Sequence, residues 1–205
     1  MQNNHPELFI ISAPSGAGKS TLIRKLLSSN NNFELSVSAT TRPPRDGEIN
    51  GVDYQFISEN EFTSLINKNA FIEYAKVHNH KYGTLKSYID RKFIEGKSII
   101  LDIDVQGFMQ IKESNISNTS IFILPPSFKV LKQRLEDRRS DTKEAIDKRM
   151  TNARKEIQCC DEYDFIIVND EIDITMKALK EIIFEKRNDS DKNLIEKILI
   201  DMLSY

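Results

Sequence analysis

Apolar residues along this chain cluster in short runs set between longer stretches of helical spacing. Leu8-Phe9-Ile10-Ile11, Ser98-Ile99-Ile100-Leu101-Asp102, Ser120-Ile121-Phe122-Ile123-Leu124 and Phe165-Ile166-Ile167-Val168 show little polar alternation inside, as strands covered on both faces require. Between them lie amphipathic patterns. Leu22-Ile23-Arg24-Lys25-Leu26-Leu27 is one, and Ser58 opens another, with Glu61 completing a capping box and Phe62, Leu65 and Ile66 on one face. A third runs from about Lys86 to Glu95 and closes at Gly96. Alternating strands and helices predict an α/β chain, with a central parallel sheet and helices on both faces.

The segment from about Gly51 to Tyr82 departs from this pattern. Tyr54-Gln55-Phe56-Ile57 alternates like a half-exposed strand and Phe71–Val77 reads as another, which predicts a small mixed-sheet insertion. Leu35-Ser36-Val37-Ser38 is a further short strand, and the segment from Thr40 to Glu48, with Pro43 and Pro44, is expected to be irregular. From Asn193 to Leu203 the apolar residues Leu194, Ile195, Ile198, Leu199 and Met202 fall at helical spacing. This tail packs either on its own domain or on a second copy of the chain.

Length and charge narrow the class. With 205 residues, 39% hydrophobic and 29% charged, and a net charge of −2, the chain suits one α/β unit with inserted subdomains. Its bulk charge gives no reason to expect nucleic acid or an anionic membrane as partner. No run reaches membrane-spanning length and no signal-peptide pattern opens the chain, so a cytoplasmic protein is expected. The adjacent Cys159 and Cys160 read as incidental thiols, and His78 and His80, without a third ligand, as surface or packing residues.

The first strand runs into Ala13-Pro14-Ser15-Gly16-Ala17-Gly18-Lys19-Ser20-Thr21 and then into a helix. This is the setting of a phosphate-binding loop. Its glycines let successive N–H groups turn inward, and the helix N-terminus adds partial positive charge. Lys19 then reaches the outer phosphates and the Ser20 hydroxyl sits on Mg²⁺. Ala13 stands where the pattern has its first glycine, but the phosphate-touching positions are kept.

Further residues point to phosphoryl transfer. Asp102 and Asp104 end a buried strand, where open α/β sheets place ligands. Asp104-Val105-Gln106-Gly107 also fits the D-x-x-G pattern of GTPases, but no N-K-x-D motif follows it. Arg42 and Arg45, held by two prolines, suit a second anion site, with Tyr54 and Tyr82 as hydroxyl donors. Arg134, Arg138, Arg139, Arg149 and Arg154 lie on a helical hairpin that is poor in core residues and reads as a mobile flap; Asp141 and Glu144 are expected to cap its second helix.

Taken together, these segments closely resemble the guanylate kinases. The resemblance runs from about Glu7 to Glu185, through Ser36–Arg45, Gly51-Val52-Asp53-Tyr54, Phe71-Ile72-Glu73, Tyr82-Gly83-Thr84, Leu101–Gly107, Arg134–Arg138, Lys148-Arg149 and Ile167–Asp170. It implies a P-loop NTPase fold with a core of residues 7–36, 97–126 and 160–205, a GMP-binding insertion at 37–96 and a lid at 127–159, with 186–205 as a tail. It also implies transfer of a phosphoryl group from ATP to GMP, giving ADP and GDP. Arg42, Arg45, Tyr54 and Tyr82 would hold the GMP phosphate, and Ser38, Glu73, Thr84 and Asp104 would read guanine. Residues 13–21 would cradle ATP phosphates and Mg²⁺, with Asp102 nearby acting through water. Arg134, Arg138 and Arg149 would belong to the lid, and Asn169 would lie near adenine. Of these, Lys19, Arg45, Asp102, Arg138 and Arg149 are the expected catalytic set. Thr84 stands where many relatives have serine, and Arg139 where glycine is usual.

Glu73 fits that reading on chemical grounds. Guanine presents N1–H and N2–H₂ on one edge, which a carboxylate accepts together, whereas adenine presents an acceptor there. The competing readings are a kinase for another base and a non-catalytic guanylate-kinase-like module that binds protein ligands. Oligomeric state is left open.

Overall fold

The computed structural model describes residues 5–77, 79–137, 142–187 and 190–204. His78, Arg138, Arg139 and Asp141 lie outside them. In chain order the elements are β1 (Leu8–Ser12), α1 (Lys19–Ser28), β2 (Phe33–Leu35), β3 (Ala39–Thr40), β4 (Gln55–Phe56), α2 (Glu59–Asn67), β5 (Phe71–Val77), β6 (His80–Leu85) and α3 (Lys86–Ile94). They continue with β7 (Ser98–Asp102), α4 (Val105–Glu113), β8 (Thr119–Leu124), α5 (Phe128–Glu136), α6 (Lys143–Ile157), β9 (Phe165–Val168), α7 (Ile172–Glu185) and α8 (Lys192–Leu203). A five-stranded sheet has the order β2-β7-β1-β8-β9, and a separate four-stranded sheet the order β4-β3-β6-β5. The pairs β2–β7, β1–β8 and β8–β9 are parallel. This is the α/β architecture the apolar runs predict, with its mixed-sheet insertion.

By internal contacts the chain divides into two units. The first contains the chain up to Leu8 together with Asn31–Asn118. Its mixed sheet joins β3 to β4 in parallel and to β6 antiparallel, and β6 to β5 antiparallel. Helix α2 begins as the capping signal requires: the Ser58 hydroxyl accepts from the Glu61 N–H at 3.1 Å. It buries Phe62, stacked on Phe71 with ring centroids 4.5 Å apart. The predicted strand 35–38 lies earlier, at β2. Ser36 N–H still donates to the Ile100 carbonyl at 2.9 Å, and there the regular ladder stops. Strand β6 was missing from the predicted elements because His80-Lys81-Tyr82-Gly83-Thr84 lacks apolar alternation.

The second unit contains Phe9–Asn30 and the chain from Thr119. Strands β1 and β8 are almost wholly buried, as their unbroken apolar runs require. Two expectations about the hairpin need correction. The hairpin has a core of its own, in which Leu131, Leu135, Ile146 and Ala153 pack with Phe128 and Met150. Thr142, not Asp141, supplies the cap of α6, its hydroxyl accepting from Ala145 N–H at 3.3 Å; a threonine one residue before the helix is a better-placed acceptor. Helix α8 packs on its own unit, against α6 and β9, with Ile195 and Met202 buried. Among the described residues no helix is long and apolar enough to cross a membrane.

Candidate active site

A cleft of about 410 Å³ opens in the first unit, with Ser38, Tyr54, Glu73, Tyr82, Asp102 and Asp104 among its lining residues. Glu73 is only 5% exposed. A register shift between Phe71 and Glu73 puts an extra residue into β5, so Phe71, Ile72 and Glu73 are buried in succession. Glu73 faces Thr84 across the ladder, and the buried Thr84 hydroxyl donates to Glu73 Oε1 at 2.7 Å. Glycine at position 107 makes room for the acid, since a Cβ there would stand 2.8 Å from Glu73 Oε2. Burial pushes the Glu73 carboxyl up to about 7, the Thr84 hydrogen bond opposing and the Asp104 charge adding to the rise. Asp104 caps α4, accepting from Gly107 N–H at 3.0 Å. The cleft therefore holds a buried carboxyl whose side-chain donor is Thr84.

The arginine fork lies in the same unit. Arg42 forms a two-pronged pair with Glu48, at 2.9 Å and 2.7 Å, and its guanidinium sits 5.3 Å from the Tyr54 ring centroid and 5.7 Å from that of Phe56. Glu48 also accepts from Arg45 N–H at 2.7 Å. The Arg42 hydrogen bond, followed by the Arg45 backbone, holds the Glu48 carboxyl below its ordinary value. Glu48 thus clamps both ends of the basic turn, a role the sequence reading missed; an acid three residues beyond the second arginine was the available signal. The Arg45 side chain is exposed. Tyr54 and Tyr82 meet edge to face, with centroids 5.8 Å apart, and burial raises the Tyr54 phenol, keeping it a proton donor.

In the second unit, the loop after β1 encloses a pocket of about 280 Å³ lined by Ala13, Pro14, Ser15, Gly16, Gly18, Lys19, Ser20, Thr21 and Glu156. Gly16 and Gly18 both have φ of +96°, the left-handed region that lets adjacent peptides turn alternately. Ala17 N–H closes a turn on Pro14 O at 3.0 Å. Arg134 reaches back to this loop, donating to Asn169 O at 3.0 Å and to Ala17 O at 3.5 Å. Asn169 is buried, with its amide against the loop. Arg149 is half-buried on α6.

A loop with inward-turning peptides, a lysine and a hydroxyl at the head of a helix define a P-loop nucleotide-binding protein. A second concave site, the cleft lined by Glu73, Tyr54 and Tyr82, lies in the unit that carries the arginine turn. A family model for guanylate kinase matches residues 5–186. The guanylate kinase of Rickettsia prowazekii is 45% identical over 180 residues, covering 88% of this chain and 91% of that protein. That of Legionella pneumophila strain Paris is 44% identical over 206 residues, covering 100% of this chain and 99% of its own. The crystal structure of guanylate kinase from Anaplasma phagocytophilum matches with a TM-score of 0.69 at 34% identity, covering 88% of this chain and 86% of that one. The chain belongs to the guanylate kinase family.

Proposed function

We propose that this chain is an ATP:GMP phosphotransferase of the cytoplasm, converting ATP and GMP to ADP and GDP. The observation that carries the reading is Glu73, a buried carboxylate facing a cleft, with Thr84 and Gly107 built around it. It accepts the N1–H and N2–H₂ of guanine, with Ser38 and Asp104 along the same wall. Arg42, Arg45 and the Tyr54 and Tyr82 hydroxyls hold the GMP phosphate. On the donor side, residues 13–21 cradle the ATP phosphates through backbone N–H groups, and Arg134, Arg138 and Arg149 supply charge from the 127–159 lid, with Asn169 beside the nucleotide.

Mg²⁺ suits the donor set, a serine hydroxyl and a carboxylate, because magnesium is commonly bound by one or two protein oxygens with substrate phosphates and water. Ser20 would bind it directly and Asp102 through water; when bound it neutralises phosphate charge. Phosphoryl transfer asks little covalent chemistry of the protein. The residues hold the phosphates of each nucleotide and stabilise charge as it migrates. A protein-binding module would not need such a loop.

Initial rates with ATP, Mg²⁺ and each of GMP, AMP, UMP and CMP test the proposal. GMP should be preferred by at least about a hundredfold, and comparable turnover of AMP would discard the Glu73 assignment. Glu48→Gln should raise KM for GMP by about tenfold with kcat at saturation little changed, because a neutral amide loses the charge-assisted pair that fixes Arg42. Steady-state titration of GMP checks this, and an unchanged KM would show that the clamp is dispensable.

A further inference from the structure

Asn169 does something at the phosphate loop that proximity to adenine does not require. It directly follows β9, and its own N–H donates to Leu124 O at the end of β8, at 2.7 Å. Its side-chain amide donates to Ala17 O at 2.6 Å, across 152 positions of sequence. Residue 18 must be glycine for this approach, because a Cβ there would collide with Asn169 Nδ2. Arg134 secures the arrangement from the other side, donating to both Asn169 O and Ala17 O.

The consequence follows from peptide geometry. In a planar trans peptide the C=O and the next N–H point in opposite directions. A donor that holds the Ala17 carbonyl against Asn169 therefore turns the Gly18 N–H the other way. Gly18, with φ of +96°, has two accessible orientations for that peptide where other residues have one. We infer that Asn169 is a positioning residue that selects between them, aiming the Gly18 N–H at a bound polyphosphate through the Ala17 carbonyl. The inference rests on reading residues 13–21 as the ATP phosphate cradle and adds a device that pre-orients it.

The test compares ATP with tripolyphosphate, which has the phosphates but no base. Asn169→Ala and the isosteric Asn169→Asp, which sets an acceptor against Ala17 O, are titrated with each ligand in the presence of Mg²⁺, and with GMP. Asn169→Ala should weaken ATP and tripolyphosphate equally, by about tenfold, and Asn169→Asp by more, up to about a hundredfold. GMP affinity should not change, and kcat for Asn169→Ala should fall less than ATP affinity. Loss for ATP with tripolyphosphate unaffected would make Asn169 an adenine contact and overturn the inference, as would wild-type affinity in both variants. An equal loss of GMP binding and melting temperature in both variants would reduce it to a folding role and overturn it too. Tripolyphosphate binding by the wild-type protein is the control for the underlying reading. If wild type does not bind tripolyphosphate with Mg²⁺, the cradle itself is misassigned; if wild type binds it and both Asn169 variants bind it as tightly, only the inference fails.

Discussion

Glu73→Gln should lower kcat/KM for GMP by about 10³-fold and at the same time raise the melting temperature at pH 8. The two effects have one cause. In wild-type protein the carboxyl is buried and its pKa is lifted to about 7 from the ordinary 4.5. Such a group binds protons more readily folded than unfolded, so its contribution to stability is complete below pH 4.5 and is lost as pH rises through 7. At pH 8 the fold carries the full cost of a poorly solvated charge, roughly 1–3 kcal/mol. Glutamine keeps the shape and can still accept the Thr84 hydrogen bond, but bears no charge. The gain in melting temperature should therefore be near zero at pH 4.5 and level off above pH 7.

Guanine affinity has the opposite dependence. The ionised carboxylate is the form that accepts N1–H and N2–H₂, so GMP binding in wild type should weaken as pH falls below 7. Glutamine presents its NH₂ to a guanine donor, a clash of like groups, and leaves a buried amide unpaired. The variant should lose both the affinity and this pH dependence, retaining only the titration of the GMP phosphate near pH 6. Calorimetric unfolding and GMP titration across pH 5–8 give both readouts. A variant no more stable than wild type at pH 8, or one that turns over GMP normally, would show that Glu73 is not the strained reader of the base.

Much of this was readable from the chain because it depends on local patterning. The loop at 13–21 is contiguous, the buried strands are unbroken apolar runs, and the Ser58 cap is set by residues three apart. Features that depend on register or distant approach were not. Glu73 was singled out by its chemistry, but its burial was not legible, because it depends on the β5 bulge that turns it inward opposite Thr84, and β6, which supplies Thr84, has no apolar signature. Thr84 was expected to donate to guanine, and its hydroxyl proton lies on Glu73. Gly107 attracted notice only as a member of short sequence patterns, although its lack of a Cβ is what admits Glu73. The apolar face of the α5–α6 hairpin was underestimated because Ile146, Met150 and Ala153 are spread thinly among charges, and only opposite Phe128, Leu131 and Leu135 do they form a core.

Lys19→Ala should reduce kcat by about 10³-fold or more while leaving GMP affinity at its wild-type value. Lys19 opens α1 directly after Gly18 and lines the loop pocket, half-buried, with Gly16, Ser20 and Thr21. The backbone N–H groups of the loop are fixed in place and bind polyphosphate in the ground state and during transfer alike. A flexible ammonium differs, because it can follow negative charge from the γ-phosphoryl group toward the departing ADP oxygen. Its contribution is then larger in the transition state than in the ATP complex, and its loss must show in kcat more than in KM. The GMP residues belong to the other unit of the chain, so their affinity is a control for folding. Lys19→Arg should recover little, since a planar guanidinium fork, bulkier than a compact ammonium, cannot follow the same path in a pocket of about 280 Å³. Single-turnover phosphoryl transfer, with GMP affinity measured in parallel, decides it. A variant within about tenfold of wild type in the transfer step would remove Lys19 from the catalytic set and leave the backbone cradle as the main source of stabilisation.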